Sequence, residues 1–554
     1  MASAGTCLPC RPGAPPLRFR AGDRPTSPNS MDSSASGAPA ASQEVPAGSI
    51  FVSFLHTGET VPAVLDPVSG KSETSFCFIS TAAWGKGRNQ EAVRVPDSPP
   101  RSGIRRYGWC IIVRTMRIDA AMSLPPVLRE TPSKLFVEVT TRCNMSCAMC
   151  VKQADGGCSP EGDLAMPVFE ALVPVFPNLE AIILNGVGEP LLHPRLEEMI
   201  RTARERMPGE GWVGFQSNGL LLTEARAVSL ASAGLDRICF SVDGVSPEMF
   251  RKVRVGGEIE GVERALAAMA VAKKQCGRAD LQVGVEFVVM RGNLRELPDA
   301  LRWSAARGAT FAIVTHVLPY DSHHGKETAF EMNTDEAIAI FREWGEKGRR
   351  EGTDIRRYFE ILWKYSKTPE EARVLRFVDA MKEDAMGRGV FLDMKRLLSA
   401  DRGHNDEVGG VFDEAAEVAR KEGLDLRLPG VSLKEKRNCS FVEEGGAFVS
   451  WKGAVSPCYF LWHRYSCFAH GWKQSVHPKV FGKLAEGGIL EIWNDREFRA
   501  FRENVVKYDY PYCSSCSLAP CDYVQTEEFE QDCHIRNVQC GSCMWCMGVF
   551  QCLR

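Results

Sequence analysis

Six times between residues 134 and 316 the chain repeats one local pattern: a short apolar run, a polar turn, then a helix-like stretch. The runs are Lys134-Leu-Phe-Val-Glu-Val-Thr140, Ala181-Ile-Ile-Leu184, Trp212-Val-Gly-Phe215, Arg237-Ile-Cys-Phe240, residues 281–290, and Thr310-Phe-Ala-Ile-Val-Thr315. In the first, Leu135, Val137 and Val139 alternate with more polar neighbours, the period of a strand. Helical segments fall between the runs, at 194–206, 223–233 and 261–274 among others. Strands alternating with helices predict parallel βαβ units, and six are about enough for a partial (β/α)6 barrel of the α/β class. In such barrels the chemistry sits on loops at the C-terminal ends of the strands. The polar turns fall at those ends: the loop from Cys143 to Cys150, Asn185-Gly-Val-Gly-Glu-Pro190, Gln216-Ser-Asn-Gly219, Ser241-Val-Asp-Gly244, Gly292-Asn293 and His316.

The first turn reads Cys143-Asn-Met-Ser-Cys-Ala-Met-Cys150, with thiols spaced x3 then x2. Three cysteines on one loop can hold three corners of a cubane iron–sulfur cluster, one fewer than full protein ligation. One iron then stays open to a small molecule, as an open position does at catalytic zinc. On spacing alone, the alternatives are a structural zinc site closed by Cys158, or three unrelated core thiols.

Of 21 cysteines, 11 lie between Cys439 and Cys552, many closely spaced: Cys513-x2-Cys516-x4-Cys521, Cys533, then Cys540-x2-Cys543-x2-Cys546-x5-Cys552. A disulfide scaffold belongs to small secreted domains, and no basic start with an apolar core marks a signal peptide. Zinc stays open, because Cys-x2-Cys pairs suit tetrahedral S4 sites.

The x3–x2 spacing is the signature of radical S-adenosylmethionine (SAM) enzymes, and the chain resembles that family. The resemblance implies that Cys143, Cys147 and Cys150 hold a 4Fe-4S cluster whose open iron is chelated by SAM. One electron then breaks a carbon–sulfur bond, giving a 5′-deoxyadenosyl radical. Gly186, Gly188, Glu189 and Pro190 resemble the family's GGEP loop, with Val187 inserted between the glycines. Ser217 and Asn218 resemble its ribose contacts, and Ser241 and Asp243 its fourth-strand polar pair. Gly257, Gly261 and Glu263 look like its G-x-I-x-G-x-x-E motif, although the match is one residue short and precedes the fifth strand.

Cys439-x13-Gly453-x4-Cys458 resembles the opening of the SPASM domain, which implies two auxiliary 4Fe-4S clusters. Nine cysteines are nominated as ligands: Cys439, Cys458, Cys513, Cys516, Cys521, Cys533, Cys540, Cys543 and Cys552. Cys467 and Cys546 are left as spares. The expected division is a barrel at 132–330, a helical insertion at 331–430 and a SPASM-type domain at 431–554. In the insertion, Phe341, Trp344, Tyr358 and Trp363 are expected in a core.

Within the family the chain is most similar to metalloenzyme maturases, including those linked to tungsten oxidoreductases. That likeness implies a peptide, protein or metal cofactor of a partner enzyme as substrate, and a reductant such as ferredoxin or flavodoxin. A non-catalytic iron–sulfur or zinc scaffold is the other reading. No acid, base or radical-quenching residue is identified; Tyr320, Asp321, His323 and Cys467 are candidates by position. A net charge of −3 without a long basic block predicts no nucleic-acid partner. The absence of any apolar run of about 18 residues predicts no membrane span, and a cytoplasmic protein is expected. Residues 1–121, rich in Pro, Ser, Ala and Gly, are expected to be disordered or untranslated, with Met116 or Met122 as the start.

Overall fold

The computed structural model describes residues 125–153, 160–516 and 521–554, together with a separate antiparallel pair, Ile50–Ser53 with Thr60–Ala63. The expectations for the rest of residues 1–121, and Cys158, lie outside the described residues.

The six apolar runs form β1 (Lys134–Val137), β2 (Ala181–Ile183), β3 (Trp212–Ser217), β4 (Arg237–Ser241), β5 (Gln282–Val289) and β6 (Phe311–His316). Each pairs in parallel with the next. The connecting helices include α1 (Leu196–Arg204), α2 (Glu224–Ala233), α3 (Pro247–Val253), α4 (Ile259–Gln275) and α5 (Leu297–Ala305). Local chemistry sets their ends. Thr223 accepts a hydrogen bond from Arg226 N to start α2, which stops at Gly234 in the left-handed region. Ser246 caps α3 in the same way. The alternation read in β1 understates its burial, since Phe136 and Glu138 are as buried as Leu135 and Val137. Both faces of a parallel strand are covered, and here Phe441 and Tyr459 pack on Phe136 at ring separations of 5.2 and 5.1 Å.

Two parallel strands from outside 132–330 extend the sheet. Residues 335–422 carry helices that include α6 (Asp335–Arg350), α7 (Pro369–Gly387) and α8 (Arg402–Glu422), with a core of their own built on Ile340, Phe341, Phe377 and Met381. Trp344 and Tyr358 join that core, but Trp363 is 84% exposed because it lies just past the short helix Tyr358–Leu362. α8 packs beside α5 through Arg302–Glu414 and delivers β7 (Asp425–Arg427) alongside β6. At the opposite edge β8 (Gly446–Val449) pairs in parallel with β1, followed by antiparallel β9 (Ala454–Ser456) and β10 (Gly482–Lys483). The sheet order is therefore β7-β6-β5-β4-β3-β2-β1-β8-β9-β10. The motif glycine Gly453 turns β8 into β9 at φ +78°, where a side chain is strained.

One buried carboxylate ties this edge together. Glu138 Oε1 accepts from Val187 N at 3.1 Å and lies 2.9 Å from His463 Nε2, while Oε2 accepts from Trp451 N at 3.2 Å. Glu138→Ala should lower stability by about 3–5 kcal/mol, because removing one partner strands the others in the interior. A denaturation midpoint equal to wild type would contradict this.

Candidate functional site

The cysteine loop is staked at both ends. Before it, Asp163 takes a bidentate pair from Arg142, at 3.0 Å from Nε and 2.6 Å from Nη2, and a hydrogen bond from Thr140 Oγ1 at 2.7 Å. Inside it, Ser146 N and Ala148 N donate to Val255 O and Val253 O at 3.1 and 3.3 Å. Cys143, Cys147 and Cys150 all line one cavity of about 330 Å³. Burial, then the neighbouring charges, pushes the Cys143 and Cys150 thiols above their ordinary range. A bound cation would reverse that balance, because metals take thiolates.

Gly186, Gly188, Glu189, Pro190, Ser217, Asn218 and Ser241 line the same cavity. The glycines are needed for close approach to the cysteine strand and its loop. A Cβ on Gly188 would lie 2.4 Å from Arg142 O, and one on Gly186 would lie 2.3 Å from Glu138 Cγ. Gly188 N and Glu189 N donate back to Thr140 O and Arg142 O at 3.2 and 2.7 Å. The two close approaches are made on either side of Val187, whose N–H goes to Glu138. Glu189 is an organiser of the next loop. Its carboxylate accepts from Ser217 Oγ at 2.7 Å, Asn218 N at 2.8 Å and Leu191 N at 3.0 Å. Burial raises its pKa, and those three donors oppose the rise.

Four expected residues sit elsewhere. Asp243 is fully buried behind the cavity, where it accepts from Val288 N at 2.7 Å and pairs with Arg254 Nε at 2.5 Å. Gly257 backs the cysteine loop, since a Cβ there would meet Met145 Cε at 2.6 Å. Gly261 presses on Leu220. Glu263 faces outward from α4 and pairs with Arg307 at 3.0 Å, because that motif precedes β5 and its helix shows this face to solvent. The glutamate that does grip the fourth-strand loop is Glu296, after β5, which accepts from Val245 N, Ser246 N and Ser246 Oγ at 2.7, 3.1 and 2.6 Å.

Two cavity residues went unread in the sequence. Arg254 reaches Cys147 Sγ at 3.8 Å. Burial works most strongly against its charge, but the charges of Asp243, Cys147 and Glu286 and the hydrogen bond to Asp243 together outweigh it and raise its pKa. Glu286, inside β5, has its pKa pushed up to about 7 by burial, against Gln216 and Arg254. An acid within the otherwise apolar run Val283-Gly-Val-Glu-Phe-Val-Val289 was the signal available for Glu286. Tyr320 also lines the cavity. Asp321 instead caps the short helix Ser322–Lys326, with His324 N at 2.7 Å, and gathers with His323 and His324. Cys467 is buried beside Tyr465 and Tyr320.

The C-terminal thiols fall into two groups. Cys439, Cys458, Cys540, Cys543 and Cys546 line one pocket walled by Phe441, Phe460 and Phe501. Cys513, Cys516, Cys521 and Cys533 act on one another electrostatically. Cys546, left as a spare, lines the same pocket as four of the nominated cysteines. Cys552 stands apart, with Arg554, Glu286 and Glu444 as ionisable neighbours, because the chain leaves the pocket after Cys546 and docks its last residues against the barrel. Tetrahedral zinc with Zn–S bonds of ~2.3 Å brings its sulfurs to about 3.8 Å from one another. Among the described residues no three thiols lie within 4.8 Å of one another.

Residues 137–303 match the model of the radical SAM superfamily, and residues 439–517 match SPASM, an iron–sulfur cluster-binding domain. Similar to this chain is the tungsten-containing aldehyde ferredoxin oxidoreductase cofactor-modifying protein of Pyrococcus furiosus, 27% identical over 76% of this chain and 96% of that one. The AdoMet-dependent heme synthase of Methanosarcina barkeri is 25% identical over 68% of this chain and 86% of its own. A probable GTP 3′,8-cyclase of Methanothermobacter thermautotrophicus is 29% identical over 44% and 76%. With both domain models matched in order and the cysteine loop opening on a cavity, this chain is a radical SAM enzyme that carries a SPASM iron–sulfur domain.

Proposed function

We propose that the enzyme reductively cleaves SAM and uses the resulting radical to modify a peptide, protein or metal cofactor of a partner enzyme. The observation that carries this reading is the sharing of one cavity by the three loop thiols, Glu189, Ser217, Asn218 and Ser241. Bound cluster and SAM together supply one-electron cleavage of a carbon–sulfur bond and a 5′-deoxyadenosyl radical. The protein positions and shields them. Cys143, Cys147 and Cys150 would hold three irons of the cluster, and Gly186 to Glu189 line the same cavity. Glu189 fixes Ser217 and Asn218 for ribose contact, so its role is positioning. Arg254 places a cation beside Cys147, where it would favour a more negative cluster. Trp462, Trp545, Phe550 and Leu318 wall the cavity on its far side and keep water from a reactive intermediate.

The cofactor-modifying relative supports the maturase reading of the substrate. A low-potential one-electron donor of the ferredoxin or flavodoxin kind, in the reducing cytoplasm, suits cluster assembly. No helix among the described residues is long and apolar enough to cross a membrane.

Anaerobically reconstituted protein should carry roughly twelve irons, about four for each cubane. Changing Cys143, Cys147 and Cys150 to Ala should remove about four and abolish 5′-deoxyadenosine formation. Cys439→Ser should cost auxiliary iron, whereas Cys552→Ser should not. Iron analysis and quantified nucleoside product check all three, and zinc in the C-terminal groups would refute the assignment.

Glu286 gives a pH signature. Its carboxyl keeps its proton in the folded protein up to about 7, above the ordinary 4.5. Its contribution to stability is therefore full below 4.5 and lost as pH rises through 7. Glu286→Gln should remove that decline, so that the difference in unfolding free energy between variant and wild type grows over this window and then levels. A constant difference across the window would show that Glu286 titrates normally.

A further inference from the structure

Between the two C-terminal thiol groups lies a guanidinium that none of the binding sites above uses. Arg437 is only 6% exposed. Nη1 and Nη2 donate to Tyr510 O and Pro511 O at 2.9 and 2.7 Å, and the guanidinium carbon stands 3.5 Å above the Tyr512 ring centroid. The segment it grips runs straight into Cys513 of one group. On its other side Arg437 lines the pocket of Cys439, Cys458, Cys540, Cys543 and Cys546. Its charge acts on Cys513 from one group and on Cys540 and Cys546 from the other.

A buried cation ordinarily has a carboxylate partner. Arg437 forms no ion pair within 4.0 Å among the described residues, and its Nε has no partner at all. Glu435 is close enough to feel its charge, but the Glu435 Oε2 oxygen is also unpartnered. Two carbonyls and one aromatic face hold the guanidinium without neutralising it. The anions that would balance it are the thiolates on either side.

We propose that Arg437 is a positioning and potential-setting residue shared by the two auxiliary clusters, a fixed positive charge that stabilises the more negative, reduced state of both. This rests on the assignment of the thiol groups as cluster ligands. Removing the charge makes each cluster harder to reduce, so its midpoint moves to more negative potential. The cluster on the Cys143 loop, which has Arg254 beside it, is unaffected.

The test is redox potentiometry followed by electron paramagnetic resonance, on reconstituted holoenzyme as wild type, Arg437→Gln, Arg437→Lys and Tyr512→Leu. Iron is counted in each sample. Arg437→Gln should shift both auxiliary midpoints negative at full iron content, Arg437→Lys should restore much of the shift, and Tyr512→Leu should leave the midpoints near wild type. Loss of auxiliary iron in Arg437→Gln but not in Arg437→Lys would support the same need for charge. Unchanged midpoints in Arg437→Gln at full iron, a shift in one cluster alone, or loss of iron in Arg437→Lys would overturn the proposal. Wild-type protein lacking auxiliary iron would fail the ligand assignment, a separate result from unchanged midpoints in a fully loaded variant.

Discussion

The buried carboxylate of Glu138 is the point from which the site is laid out. It sits one residue past β1, in the few residues between the strand and Cys143. Its two oxygens are shared by the glycine loop after β2 and by two residues of the C-terminal region, Trp451 and His463. A charge this deep persists only with several donors, so each partner is held by the need to satisfy it. The result is mechanical: the cysteine loop, the glycine loop and the C-terminal region cannot move independently.

The same logic repeats outward. Glu189 hangs from the backbone of the cysteine loop and in turn holds Ser217 and Asn218. Asp243 ties Val288 of β5 to Arg254, and Arg254 points at Cys147. Glu296 clamps the turn after β4. The loops after β2, β3 and β4 each donate backbone N–H groups to an acid from another element, which suits chemistry that needs tight placement of a radical. C-terminal residues, among them Trp462, Trp545 and Phe550, complete the cavity lining.

The strands and their order were legible because a parallel sheet demands apolar runs punctuated by turns, and this chain supplies them at regular intervals. Cys143, Cys147, Cys150 and the Gly186 to Pro190 loop were legible for the same reason, since close backbone approach leaves glycines in the text. Glu263 misled because its motif is short and local, while the function of a carboxylate depends on which face of a helix it occupies. Arg254 and Glu286 left no motif; what they do depends on partners distant in sequence, Cys147 and Gln216. Cys546 and Cys552 could not be told apart by spacing. Only the path of the tail decides that one faces the thiol pocket and the other the barrel.

That tail also docks on the end of β6. Gln551 N donates to Thr315 Oγ1 at 3.0 Å and His316 N to Val549 O at 3.3 Å, so the last residues lie across the end of β6. The segment just before them runs along 430–438 through Gly430 N to Gly548 O, Lys434 N to Met547 O and Asn438 N to Cys546 O, at 2.8–2.9 Å. Trp545, flanked by Cys543 and Cys546, lines both the SAM cavity and the five-thiol pocket. A single indole is therefore the wall between the place where a substrate radical would form and an auxiliary cluster. The β8 pairing with β1 and the docking of the tail on β6 hold that wall from opposite edges of the barrel. The C-terminal region thus supplies part of the cavity wall, and one of its residues also lines the five-thiol pocket.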